Sequence, residues 1–193
     1  MKNKIIIAVS IVVAILSFVG IYALYNTLSD DYKTDNLAPT NAQNQAAENN
    51  NQSGDENTDY SAPDFTVQNE NGSDVTLSNY FGKPIVLNLW ASWCSPCKNE
   101  MPYFEEAYKE NDDIQFLMVN MTSGDNKADA KAFIEEEGYT LPVFYDIYGE
   151  AAYMYQAQSL PMTIFIDANG NMVTYGVGAF DKETLQKGIE MLK

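Results

Sequence analysis

Apolar positions in this chain fall into three regimes. They dominate an uncharged run from Ile5 to Leu24, thin out between about Ser29 and Tyr60, and return after Ser61 in short blocks separated by turn residues. The first run is 20 residues long, with Ser10, Ser17 and Tyr22 as its polar members. As a helix it would span about 30 Å, the thickness of a bilayer's hydrocarbon core. Lys2 and Lys4 precede it. A cleaved signal carries a shorter apolar core of roughly 7–15 residues and a small-residue cleavage site. Ala23-Leu24-Tyr25 is a poor match to such a site, and no Cys follows the run to carry a lipid. The pattern predicts an uncleaved anchor over residues 1–28, with its N-terminus cytoplasmic and the rest of the chain extracytoplasmic. Residues 29–60 are dominated by Asn, Gln, Asp and Glu. They cannot bury enough apolar surface to fold, which predicts a disordered tether with an r.m.s. span of roughly 30 Å.

Residues 61–193 read as one domain. Asp64–Gln68 and Asp74–Leu77, separated by the turn signal Asn71-Gly72, predict a hairpin. Pro84–Trp90, Ile114–Asn120 and Met162–Asp167 are nearly continuous apolar runs, the mark of strands buried on both faces. Between them, helices are expected from about Ser95 to Glu110, over Ala128–Glu137 with Gly138 as C-cap, and briefly over Gly149–Gln156. Val143–Tyr145 reads as a short strand, and Asn169-Gly170 as a hairpin turn into Met172–Val177. Asp181 caps a final amphipathic helix that runs to Lys193. The βαβ unit demands parallel strands and the last hairpin adds an antiparallel one. The fold class is therefore α/β, a mixed central sheet with helices on both faces and an N-terminal β-hairpin.

Composition narrows the chemistry. The chain has 11 lysines, no Arg, no His and 27 acidic residues, for a net charge of −16. Without His there is no Ser/His/Asp or Cys/His catalytic unit and no histidine-bound metal. The negative balance and missing Arg argue against a nucleic-acid surface. Beyond Leu24 the balance is nine lysines against 27 acids, so the exported part should stand off an anionic lipid surface.

Only two cysteines are present, Cys94 and Cys97, within Trp90-Ala-Ser-Trp-Cys-Ser-Pro-Cys. Half of a zinc site would need two further ligands, and the chain has no other Cys or any His. A redox dithiol fits better. Residues three apart lie on one helix face, close enough to close a small ring. Cys94 falls at or before the first helical turn, where free N–H groups and the helix dipole stabilise a thiolate. Pro96 is tolerated there because first-turn N–H groups need no intrahelical partner. A static disulfide closing so short a loop would add little stability.

The stretch from Ala62-Pro-Asp-Phe through Trp93-Cys-Ser-Pro-Cys-Lys-Asn-Glu-Met-Pro, together with Leu160-Pro-Met-Thr-Ile-Phe-Ile-Asp-Ala-Asn-Gly170, resembles the TlpA/ResA-like branch of the thioredoxin superfamily. That branch comprises membrane-anchored or periplasmic thiol–disulfide oxidoreductases. The resemblance covers residues 61–193 and implies a thioredoxin-like fold. It implies that Cys94 is the exposed attacking cysteine and Cys97 the buried resolving one. It places Pro161 as a cis-proline opposite the dithiol and Leu160 as the residue whose backbone pairs with a substrate strand. Ser95 and Pro96 tune the couple. Trp93 reads as a client-docking side chain and Trp90 as core. Asn88 stands where thioredoxins proper carry a buried Asp, and Ser95 where ResA-like members carry Glu. Glu100 matches a family Glu and reads either as a helix-surface charge or as a proton relay. Pro102 should kink its helix.

The implied activity is reduction of disulfides in exported proteins, with no cofactor or metal beyond the Cys94–Cys97 pair. The expected partners are oxidised extracytoplasmic client proteins and a membrane thiol electron donor. An oxidase using the same residues and a non-catalytic binding module are the alternatives. A peroxiredoxin is disfavoured because Asn88-Leu-Trp-Ala-Ser-Trp lacks the Thr and Pro such a site needs before its Cys.

Overall fold

The computed structural model describes residues 37–39 and 61–193. The expected anchor over residues 1–28 and most of the expected tether lie outside the described residues. Eight strands form one sheet in the order β1-β8-β7-β4-β5-β6-β2-β3. They are β1 (Leu37–Pro39), β2 (Thr66–Gln68), β3 (Asp74–Thr76), β4 (Ile85–Trp90), β5 (Gln115–Asn120), β6 (Val143–Tyr145), β7 (Met162–Ile166) and β8 (Met172–Val177). Among the described residues four α-helices accompany them: α1 (Ser95–Glu110), α2 (Lys127–Glu137), α3 (Glu150–Met154) and α4 (Lys182–Glu190). Short 3-10 turns occupy Leu77–Tyr80 and Thr122–Gly124.

The sheet is mixed, as the βαβ and hairpin signals require. β4–β5 and β5–β6 are parallel, whereas β4–β7 and β7–β8 are antiparallel. The hairpin β2–β3 joins the sheet through Gln68 opposite Tyr145. β4 is buried along its whole length, so period-2 alternation sends its side chains into two different cores. Val86 and Trp90 meet the helices α1, α2 and α4, while Ile85, Leu87 and Leu89 meet Phe65, Leu77 and the α3 segment. Three helices thus cover one face and the short α3 the other.

Several elements differ from expectation at their ends. Leu77 leaves the strand for a 3-10 turn. α3 ends at Met154, where Tyr155 turns back into the core. The last helix stops at Glu190. α1 runs unbroken through Pro102, which is solvent-exposed. Part of the expected tether is a strand: Leu37–Pro39 pairs antiparallel with β8, with Leu37 opposite Gly176. Leu37 is the only Leu, Ile or Val in residues 29–60, and it packs on the helix-covered core. The pairing covers an edge that β8 would otherwise leave bare.

Two glycines are fixed by close approach. At Gly170, with φ +87°, a Cβ would lie 2.6 Å from the Phe81 ring. At Gly188 a Cβ would lie 2.1 Å from the Phe165 ring, because α4 packs directly on β7.

Candidate redox site

The dithiol sits where β4 ends and α1 begins. Cys94 is the N-cap of α1, in extended conformation, and its sulfur accepts a hydrogen bond from the Cys97 amide at 3.2 Å. Cys94 is also tied on both sides through its backbone. Its amide donates to the Ala91 carbonyl at 3.1 Å, and its carbonyl accepts from Lys98 at 3.1 Å. The cysteines form a disulfide with Cα atoms 5.3 Å apart. Ser95 and Pro96 cross the first turn exposed, between two buried sulfurs. Cys97 is fully buried and Cys94 is 5 % exposed. The expected exposed Cys94 is therefore corrected: in the disulfide, little of its surface meets solvent. Trp93 beside it is 64 % exposed. Trp90 is fully buried, as a core side chain should be.

The Leu160–Pro161 peptide bond is cis. Met162 pairs with Leu89, and Val177 with Met162. The cis bond thus lies beyond the same end of the sheet from which Trp93–Cys97 departs. Pro161 is buried and accepts from the Gly178 amide at 2.8 Å, whereas Leu160 is half-buried. A shallow groove of about 350 Å³ continues from there, lined by Gln156, Ser159, Met162 and Val177 among others.

One helical turn beyond Cys97, Glu100 enters a buried polar network. Asn88 and Thr163 face each other across β4 and β7. The Asn88 amide donates to the Glu100 Oε1 at 2.9 Å and to the Thr163 hydroxyl oxygen at 3.0 Å. The Phe180 amide donates to Glu100 Oε2 at 2.7 Å. Glu100 is 1 % exposed, one helical turn beyond Cys97. The surface-charge reading of Glu100 is therefore corrected. Burial outweighs these two hydrogen bonds and pushes its carboxyl up to about 7. The ionisable group of this network comes from α1, while the strand position carries the neutral Asn88.

A second carboxylate, Asp125, stands beside the site. It accepts from the Ser92 amide at 2.6 Å, the Ser92 hydroxyl at 2.7 Å, and the Asn120 side chain and Asn126 amide, each at 2.8 Å. Burial acts to raise it, but these donors outweigh burial and hold it below the usual carboxylate range. The Trp93 indole N–H donates to the Gly124 carbonyl at 3.0 Å. Sequence reasoning missed Asp125, Asn120 and Thr163. The available signal was weak: Asn88 and Thr163 are single polar residues inside otherwise apolar strands, and Asn120 ends the apolar run of β5. Among the described residues, no cluster of three or more His, Cys, Asp or Glu side chains is placed to hold a metal ion.

A Cys-x-x-Cys pair at a strand-to-helix turn, with a cis-proline loop at the same end of a mixed sheet, defines a thioredoxin-fold dithiol protein. The description "AhpC/TSA family" matches residues 58–175. The thiol-disulfide oxidoreductase ResA of Geobacillus kaustophilus is 35% identical over 134 residues, covering 68% of this chain and 76% of that protein. ResA of Bacillus subtilis is 30% identical over 134 residues, covering 68% and 74%. Among solved structures, StoA of Bacillus subtilis superposes with a TM-score of 0.58 at 26% identity, covering 67% of this chain and 98% of its own. The exposed lipoprotein thioredoxin Etrx1 of Streptococcus pneumoniae does so with a TM-score of 0.56 at 33% identity, covering 66% and 99%. The chain belongs to the AhpC/TSA family, and within it to the ResA-like thiol–disulfide oxidoreductases. It is an enzyme of thiol–disulfide exchange.

Proposed function

We propose that the protein reduces disulfides in exported proteins, with Cys94 as the attacking thiolate and Cys97 as the resolving thiol. The observation that carries the assignment of roles is the asymmetry at the head of α1. Cys94 caps the helix and keeps a small exposed surface next to the exposed Trp93, while Cys97 is sealed in the core. In the reduced enzyme the Cys94 thiolate attacks a client disulfide, forming a mixed disulfide and expelling one client thiolate. Cys97 then loses its proton and attacks Cys94, which closes the enzyme disulfide and releases the second client thiolate. Glu100, buried one turn from Cys97 and titrating about 7, is suited to take that proton. Trp93, Ser95 and Pro96 form one wall of the client site. Leu160 offers its backbone to an extended client segment beside Pro161.

The N-terminal run Ile5–Leu24 supports a single-pass membrane location with the enzyme domain extracytoplasmic. A membrane thiol carrier would return electrons to the Cys94–Cys97 disulfide. The test of direction is the reduction potential of the couple. A reducing thioredoxin lies at about −270 mV and a strong oxidant at about −120 mV. A value at or below about −240 mV supports reduction. A value above about −160 mV assigns the same residues to disulfide formation.

A further inference from the structure

Two backbone segments 31 to 33 residues apart in sequence are laced together beside the dithiol. Ser92 is bound to Asp125 through both its amide and its hydroxyl, and Trp93 is bound to the carbonyl of Gly124. Residues 92 and 93 thus pair in reverse order with 125 and 124. The partner segment is itself rigidly held. Asn120 joins Asp125, Thr122 donates to the Asn120 side chain at 2.8 Å, Met121 donates to the Trp90 carbonyl at 2.8 Å, and Ser123 donates to the Asp146 carbonyl at 2.9 Å. Cys94 takes no part in this lacing. It is fixed separately, by Ala91 and Lys98.

We propose that Asp125 is a positioning residue for client recognition: its carboxylate latches the Ser92–Trp93 segment to the loop after β5 and so sets the Trp93 ring as a rigid docking wall. Asp125 touches neither sulfur. The latch rests on the reading of Trp93 as part of the client site. It adds that recognition depends on a carboxylate outside the Cys-x-x-Cys turn. The acid is specified by arithmetic of donors. Four hydrogen-bond donors converge on two oxygens. An Asn at this position keeps one oxygen, and its amino group must face either the Ser92 amide or the Asn126 amide, each of which can only donate. Neither orientation satisfies the site, so Asp125→Asn opens the latch with almost no change in volume. Loss of one such charge-assisted hydrogen bond corresponds to about tenfold in affinity, or about 1.4 kcal/mol.

The experiment compares full-length wild type with Asp125→Asn, Ser92→Ala and Trp93→Phe on two substrates: insulin as a protein disulfide and bis(2-hydroxyethyl) disulfide as a small one. Asp125→Asn should lower kcat/KM for insulin about tenfold, through KM. The small-disulfide rate and the equilibrium with glutathione should stay within about twofold, because Cys94 keeps its own ties. Trp93→Phe, which keeps a ring and loses the N–H, should move the same way by less, as should Ser92→Ala. These two milder variants carry the test if Asp125→Asn does not fold. Equal losses on both substrates, or no loss on insulin, overturn the proposal. Time-resolved tryptophan anisotropy reads the latch independently of turnover: Trp90 stays rigid, and a fast component from Trp93 should appear in Asp125→Asn. Unchanged anisotropy also overturns it. A wild type inactive on both disulfides would instead refute the exchange reading itself, with the anisotropy still reporting on the latch.

Discussion

Replacing Glu100 with Gln should change how stability depends on pH, and by a predictable amount. The Glu100 carboxyl is raised from its ordinary 4.5 to about 7 in the folded protein, chiefly by burial. A native group that holds its proton more tightly than the unfolded chain makes stability fall as pH rises between the two values. The cost is absent below pH 4.5, grows through the interval, and is complete above about pH 7. At about 1.36 kcal/mol per unit the full amount is about 3 kcal/mol. Gln does not titrate. Its amino group displaces one acceptor oxygen, facing either the Phe180 amide or the Asn88 amide, so the variant should be the less stable protein at pH 4.5. Relative to wild type it should then gain about 3 kcal/mol by pH 8. Urea denaturation at half-unit intervals from pH 4.5 to 8 measures the difference. Taking variant against wild type cancels groups shifted the other way, such as Glu105 and Asp125, whose carboxyls are lowered. Parallel profiles would refute the reasoning, because a buried Glu100 titrating about 7 cannot leave the difference flat. The same variant should slow resolution of the mixed disulfide and remove an inflection about pH 7 from that step.

Three further outcomes follow from packing and charge. Gly188→Ala forces a methyl into the Phe165 ring and should destabilise the fold by about 1–3 kcal/mol, read as a lower urea midpoint with an unchanged slope. Glu105 accepts from the Thr140 hydroxyl at 2.7 Å, the Thr140 amide at 2.9 Å and the Leu141 amide at 3.1 Å, and it pairs with Lys109. Glu105→Ala orphans the buried Leu141 amide and should cost about 1–3 kcal/mol at pH 7, less as pH falls through the lowered Glu105 value and wild type loses the same contribution. Trp93→Ala should raise KM for a protein disulfide at least about tenfold with little change in stability, since the ring is largely exposed; a fall in melting temperature comparable to that of Gly188→Ala would assign it to the core instead.

The sheet was legible because its inner strands are written as nearly continuous apolar runs and its hairpin turns as Asn-Gly pairs. The parallel centre followed from the helix between Trp90 and Ile114. The dithiol was legible because no other Cys or His competes for its meaning. What stayed hidden is long-range polar pairing. Asn88, Thr163 and Glu100 are brought together by strand register and helix packing, and local sequence carries no trace of their meeting. Glu100 is partly an exception: it lies on the same helical stripe as Cys97, Met101 and Phe104, all buried, so periodicity pointed inward while its charge suggested solvent. Asp125 had no such clue, because its partner Ser92 lies on another loop. The strand at Leu37–Pro39 was obscured because Leu37 is the one large aliphatic side chain in a long polar stretch.

The central claim is that Cys94 attacks client disulfides and Cys97 releases them. Cys97→Ala tests it most directly when the full-length variant is produced in cells and its covalent adducts are isolated under non-reducing conditions. The account predicts mixed disulfides joining Cys94 to exported proteins, dissolved by reductant and absent from Cys94→Ala. Recovery of no adducts, or of adducts formed through Cys97 in the Cys94→Ala variant, would contradict it.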